Sequence, residues 1–140
     1  IGYAVSLGYN NESKEFSSIV KHNINNFYAI SLREESANDV LEKVTKKRYE
    51  SVVDPVFLLS KEEWGNMEVP YKGLKYDKFI FVYALEWSQV YNEKLLQMKK
   101  KTGLNVVSVN IGNINKIHAD QVIYNASPNE FLYILSKASY

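Results

Sequence analysis

The chain has 140 residues, of which 46% are hydrophobic and 24% are charged, and its formal net charge is +1. This composition is that of an ordinary soluble globular protein, and it excludes the strongly basic surface typical of nucleic-acid and anionic-membrane binding. Cysteine is absent, no apolar run is long enough for a membrane span, and no signal-peptide pattern is present. A reducing, cytoplasmic location is therefore expected.

Strand-like and helix-like patterns alternate along the chain. Most of the strand-like runs are continuously apolar, as in strands that are buried on both faces of a parallel sheet. The predicted strands are Ile1–Leu7, Phe27–Leu32, Ser51–Leu58, Lys78–Leu85, Asn105–Ile111 and Gln121–Asn125. Right-handed crossovers between them give a mainly parallel sheet. The predicted class is α/β, with Rossmann-like three-layer sheets.

Apolar residues at helical spacing predict the connecting helices. The three stripes are Phe16-Ile19-Val20-Ile24, Ala37-Val40-Leu41-Val44 and Tyr91-Leu95-Met98. Two capping boxes, Ser60–Glu63 and Ser127–Glu130, predict a short helix around Trp64 and a last helix that begins at Pro128. The run Lys99–Lys101 lies at a predicted helix C-terminus, where the helix dipole explains it.

A composition break divides the chain. Residues 60–77 contain Pro70, Gly73 and mixed charges without a period, which indicates a connector between residues 1–59 and 78–140. The chain opens inside a strand-like run without methionine and closes directly after a helix, so we expect it to be a piece of a larger protein.

Arg33 is the leading candidate for a binding residue. Lysine outnumbers arginine fifteen to two, and Arg33 follows a predicted buried strand, at the edge where open α/β sheets bind ligands. Its planar guanidinium matches a carboxylate or a phosphate. The alternative is an ion pair at the helix start, with Glu34, Glu35 or Asp39 as partner.

Two further positions lie at predicted strand ends. Asp54, restricted to extended geometry by Pro55, either faces a cleft or marks a strand terminus or bulge. Glu86 and Trp87 follow the strand Lys78–Leu85 at its tip, where the alternative for Trp87 is loop packing. No nucleotide-binding loop or serine-hydrolase motif is present, and His22 and His118 lack metal-ligand spacing, so neither a cofactor nor a metal is predicted.

The order of these segments resembles the polysaccharide pyruvyl transferase family. The resemblance covers nearly the whole chain. The matching segments are Ile1–Gly8, Ala29–Ser36, Val52–Leu59, Glu62–Trp64, Phe81–Leu85 and Ser127–Leu132.

The resemblance implies a transferase that moves the pyruvyl group of phosphoenolpyruvate onto a sugar of a cell-surface polysaccharide as a pyruvate ketal. It implies two Rossmann-like halves that face each other across a cleft, with the catalytic histidine in a Ser-Phe-His-Gly segment beyond Tyr140. No catalytic residue is therefore assigned, and the chain alone is expected to be inactive. Arg33, Asp54 and Glu86 are the candidate substrate-binding residues, although family members often have glycine in place of Glu86.

Two rival functions stay open. One is a nucleotide-sugar glycosyltransferase of the same fold, and the other is a non-enzymatic α/β binding module. The expected partners are phosphoenolpyruvate and a glycan or lipid-linked sugar acceptor, with no nucleic acid. Unpaired strand edges are predicted to join the two halves into one six-stranded sheet, either within a chain or between two chains as a homodimer.

Overall fold

The computed structural model describes residues 1–8, 13–85, 88–110 and 117–140. The chain divides into two compact units, Ile1–Ser60 and Lys61–Tyr140, each with a three-stranded parallel sheet whose strands follow chain order. The predicted α/β class with Rossmann-like parallel sheets is confirmed. A six-stranded sheet within one chain is wrong, because each described strand pairs with its sequence neighbour through a crossover inside its own unit. Pairing between two chains stays a prediction.

The first unit has two crossover helices on one face of its sheet. Its elements are β1 (Gly2–Val5), α1 (Lys14–Asn23), a 3₁₀ turn (Ile24–Asn26), β2 (Ile30–Leu32), α2 (Glu35–Thr45), β3 (Glu50–Ser51) and a second 3₁₀ turn (Pro55–Leu58). Leu32 is fully buried beneath Ala37 and Leu41 of α2, and Val20 of α1 packs against the same cluster. The predicted stripe of α2 therefore faces this core. In the predicted stripe that begins at Phe16, Val20 and Ile24 pack against the core, whereas Ile19 is 56% exposed.

The predicted strand Ser51–Leu58 is wrong beyond Ser51. Pro55 has no N–H for a strand ladder, and Asp54 instead caps a 3₁₀ turn by accepting a hydrogen bond from the Val56 N–H at 3.0 Å. Phe57 and Leu58 consequently lie exposed.

The second unit has helices on both faces of its sheet. Its elements are α3 (Lys61–Asn66), β4 (Phe79–Val82), α4 (Gln89–Thr102), β5 (Asn105–Val109), β6 (Gln121–Ile123) and α5 (Pro128–Lys137). Ile80 and Val106 pack against Leu95 of α4, whereas Phe79 and Val107 pack against Ile134 of α5. The predicted capping box at the start of α5 is confirmed. None of the helices in the described ranges is long and apolar enough to cross a membrane.

The buried face of α4 differs from the predicted stripe at one position. Leu95 is buried as expected, but Tyr91 is 58% exposed and Asn92 is buried in its place. The reason is a hydrogen bond, since the Asn92 Oδ1 accepts from the backbone N–H of His118 at 3.0 Å.

Most of the segment between the sheets packs on the second unit. Tyr71 and Leu74 contact the core beneath α5, and the side chain of Gln121 donates to the carbonyl of Gly73 at 2.6 Å and accepts from the N–H of Lys75 at 3.0 Å. These two hydrogen bonds of the Gln121 side chain hold residues 73–75 against β6.

Candidate functional site

The carboxyl ends of all three strands in the first unit meet at one cluster. Arg33 directly follows β2, and its Nε donates to the Oε1 of Glu34 at 3.0 Å. Its Nη1 donates to the Oδ2 of Asp54, which lies beyond β3, at 2.8 Å. The structure therefore brings together Arg33 and Asp54, and it also contains the alternative pairing at the helix start through Glu34. Glu86, together with Trp87, lies outside the described residues.

Backbone pairing holds Arg33 in place. The Arg33 N–H donates to the carbonyl of Val5 in β1 at 3.3 Å, and the Val52 N–H donates to the carbonyl of Leu32 at 2.8 Å. The tip of β2 is thus paired on both sides. Asp54 is fixed as well, because Pro55 favours its extended backbone and its Oδ1 accepts from the Val56 N–H.

A bulge in β1 shapes the third side of the cluster. Ala4 is buried in the left-handed region at φ 51°, and the pairing register with β2 shifts between Gly2 and Val5. The Ser31 hydroxyl accepts from the Ala4 N–H at 3.1 Å. A left-handed alanine costs about 1 kcal/mol, and bulges beside sites redirect the residues that follow. Ser6 directly follows this bulged strand.

Ser6 acts on the carboxyl group of Glu34. A hydrogen-bonding interaction with its hydroxyl is the largest cause that lowers the pKa of Glu34, and Arg33 lowers it further. The second oxygen, Oε2, is shielded from solvent and accepts no hydrogen bond of regular geometry from the described residues. The carboxylate therefore stays charged.

The cluster is accessible and has a net negative charge. The side chains of Arg33, Glu34 and Asp54 are 39%, 38% and 34% exposed. The hydrogen bond to Glu34 and the charge of Asp54 raise the pKa of Arg33, so this guanidinium is always a cation. With its three groups ionised, the cluster combines one positive and two negative charges.

The cluster offers both donors and acceptors to a ligand. Within the described part of the chain, Nη2 of Arg33 makes no hydrogen bond, so one edge of the guanidinium can take an anionic oxygen. The Asp54 carboxylate, which is 34% exposed, can accept a hydroxyl group. Among the described residues, no group of three His, Asp or Glu side chains could hold a metal ion.

Sequence reasoning missed Ser6 altogether and treated Glu34 only as an ion-pair partner. The position of Ser6, directly after a predicted strand, is the signal that could have included it. The bulge at Ala4 has no such signal, because alanine does not favour a positive φ.

Comparison with known proteins identifies the family. The model of the polysaccharide pyruvyl transferase family matches residues 1–140. Comparison with curated proteins and with solved structures gave no significant match in either case. Because the family match extends over the whole chain, the chain belongs to the polysaccharide pyruvyl transferase family.

Proposed function

We propose that this chain is part of a cytoplasmic transferase, which moves the pyruvyl group of phosphoenolpyruvate onto a sugar of a cell-surface polysaccharide. The observation that carries the proposal is the position of Arg33. In a chain of this family, it places a guanidinium with an open edge at the carboxyl end of a parallel sheet. Parallel α/β sheets bind ligands at this edge.

The reaction requires two hydroxyl groups of the acceptor sugar. Both oxygens form bonds to C2 of phosphoenolpyruvate, and the bond between C2 and the phosphate oxygen breaks. One hydroxyl proton is matched by the proton that C3 gains, and the other leaves with phosphate. The product is a pyruvate ketal, and no oxidant or reductant is consumed.

Arg33 is proposed to bind the carboxylate or the phosphate of phosphoenolpyruvate through Nη2. Glu34 and Asp54 fix the plane of the guanidinium, and Asp54 can also accept a sugar hydroxyl. Because two carboxylates outweigh one cation here, tight binding of phosphoenolpyruvate needs further cations elsewhere in the protein. Glu86 stays a proposed substrate-binding residue.

The two arginines of the chain provide a matched test. Arg48 is 49% exposed and, like Arg33, pairs with carboxylates, namely Glu35, Asp39 and Glu42 of α2. Arg48 precedes β3, whereas Arg33 follows β2. The change to lysine keeps the charge and removes the planar fork at either position. The complete gene product is assayed for phosphate release from phosphoenolpyruvate, and the ketal is identified by mass spectrometry.

We expect Arg33→Lys to lower kcat/KM by about 100-fold or more, since lysine cannot hold Glu34 and Asp54 with two nitrogens and present a third to the anion. Arg48→Lys should stay within about twofold of the parent. Equal effects of the two changes would overturn the role of Arg33. Transfer from a nucleotide sugar without phosphate release from phosphoenolpyruvate would overturn the proposed reaction.

A further inference from the structure

Strand β3 has no buried face that could fix its pairing register. It consists of Glu50 and Ser51, and both residues are exposed. The strand lies parallel to β2, with Glu50 opposite Ser31 and Ser51 opposite Leu32, and the Val52 N–H then donates to the Leu32 carbonyl at 2.8 Å. A strand that buries one face is held in register by that face, whereas a strand without one is prone to slip. The register of β3 therefore needs another determinant.

The side chain of Asn38 provides this determinant. Asn38 lies on α2 and is only 1% exposed. Its Oδ1 accepts from the Tyr49 N–H at 2.8 Å, and its Nδ2 donates to the Tyr49 carbonyl at 2.9 Å and to the Ser51 hydroxyl at 3.3 Å. A buried amide that pairs with both backbone groups of one residue fits a single register, because a shift would leave buried polar atoms unsatisfied.

A second contact ties β3 to the same helix. The Ser51 hydroxyl donates to the Oε2 of Glu35, which begins α2, and the Arg48 guanidinium donates to the Oε1 of Glu35. The bond from Ser51 is the largest cause that lowers the pKa of Glu35, so this carboxylate stays ionised and continues to accept. Both flanks of Asn38 on the β3 side are thus held to α2.

The register of β3 decides which side chain meets Arg33. Asp54 lies three residues beyond Ser51, and its Oδ2 accepts from the Arg33 Nη1 at 2.8 Å. A slip by one residue would bring Val53 or Pro55 to the place of Asp54 and would turn the side chains to the opposite face. Neither of these side chains can accept a hydrogen bond from a guanidinium. The pairing of Arg33 with Asp54 therefore depends on the register.

We propose that Asn38 is a positioning residue, which sets the register of β3 and thereby holds Asp54 against Arg33. None of the described hydrogen bonds joins Asn38 to Arg33 or to Asp54, so Asn38 acts through β3. A further step, which rests on the proposed function, is that Asn38 keeps the open edge of Arg33 oriented for the anionic groups of phosphoenolpyruvate.

Nuclear magnetic resonance tests the structural role without any substrate. The Arg33 Nε signal of the complete gene product is assigned through its loss in Arg33→Lys, and Asp54→Asn shows how that signal moves when the ion pair is lost. Asn38→Ala should move the signal in the same direction. It should also speed the hydrogen exchange of the Val52 N–H about tenfold or more, since β3 then opens more often.

The second buried asparagine is a matched control. Asn92 is 7% exposed in the second unit, and its Oδ1 accepts from the His118 N–H at 3.0 Å. Asn92→Ala also removes a buried amide, but it should leave the Arg33 signal and the Val52 exchange unchanged. If Asn38→Ala does not fold, Ser51→Ala takes its place, because Ser51 is exposed. Ser51→Ala should speed the Val52 exchange about threefold.

Steady-state kinetics tests the step that rests on the proposed function. Asn38→Ala should raise the KM of phosphoenolpyruvate about fivefold and change kcat less than about twofold, because it weakens anion binding by Arg33. Asn92→Ala should change neither constant. If Asn38 acts through Asp54, the double variant with Asp54→Asn should have the same KM as Asp54→Asn alone, since coupled residues are not additive.

Three results would overturn the role of Asn38. They are an unchanged Val52 exchange in Asn38→Ala, an unchanged Arg33 signal in the same variant, and additive effects of Asn38→Ala and Asp54→Asn on KM. If the parent protein releases no phosphate from phosphoenolpyruvate, the proposed reaction fails by itself. The signal of Arg33 and the exchange of Val52 then still decide whether Asn38 positions Asp54.

Discussion

The two units have the same strand order but differ in what their sheets present at the carboxyl edge. In the first unit, the edge has one guanidinium and two carboxylates, each about one-third exposed. In the second unit, the residues that directly follow the three strands are Tyr83, Asn110 and Tyr124, which carry aromatic rings and an amide in place of charges. The same strand order thus presents two different sets of side chains, because the residues that follow the strands differ.

The difference follows from how each sheet is covered. The first sheet has both crossover helices on one face, and its core is small. The second has a helix on each face, and Tyr83 packs edge to face on Phe131, which contacts the core around Phe79 and Ile134. Charged groups keep their solvation at an exposed edge, whereas an aromatic wall needs core packing behind it.

The largest change in the free energy of unfolding is expected for a substitution in the core of the second unit. Ile134 of α5 is fully buried, and Ile19 of α1 is 56% exposed. Ile134→Ala should reduce the free energy of unfolding by about 3 kcal/mol, because it leaves a cavity, and Ile19→Ala by less than about 1 kcal/mol. Urea unfolding followed by circular dichroism measures both changes. Equal losses would mean that the two helices contribute alike and would remove the contrast.

A second prediction concerns the charges of the second unit, which we expect to stabilise the fold. Asp120 pairs with Lys99 at the end of α4 and accepts from the Val106 N–H at 2.8 Å. Asp120→Asn should cost about 1–2 kcal/mol. The same change at Asp39, a 68% exposed residue whose nearest contact to Arg48 is 3.7 Å, should cost less than about 0.5 kcal/mol.

The pH dependence of the free energy of unfolding tests the role of Asp120 in a second way. Lys99 first, and then the Val106 N–H, lower the pKa of Asp120 in the folded state. Its stabilisation is therefore complete above the unfolded pKa of about 3.9 and is lost as the pH falls through the lower folded value. Asp120→Asn should flatten the stability curve in that acidic range. An unchanged curve would show that the carboxylate does not stabilise the folded state.

The sequence predicted the order of elements well, for reasons that are local. The alternation of apolar runs with helical stripes predicted both parallel sheets, and the signals around Pro128 predicted the start of α5. Two errors came from side-chain hydrogen bonds that periodicity does not register. Asp54 caps a 3₁₀ turn in place of a longer strand, and Asn92 takes the buried position expected for Tyr91.

The site was predictable where it depends on topology. Arg33 and Asp54 follow neighbouring parallel strands, so their proximity follows from the sheet. The left-handed backbone of Ala4, two residues before Ser6, has no signal in the sequence.

The smallest expected effect compares the ends of two helices. Lys46 ends α2 at φ 60° and Gly103 ends α4 at φ 70°, and each N–H donates to a helix carbonyl at 2.9 Å. A left-handed backbone suits glycine, and no atom of the described residues lies within 4 Å of a Cβ built at Gly103, so the expected cost there is conformational. Lys46→Gly should raise the stability by about 0.5–1 kcal/mol, and Gly103→Ala should lower it by about 1 kcal/mol. Thermal unfolding of the two variants checks both signs. If Lys46→Gly were destabilising, the lysine side chain would have to stabilise the negative end of α2 by more than its backbone strain costs, and the first unit would then depend on surface charge for its fold as well as for its site.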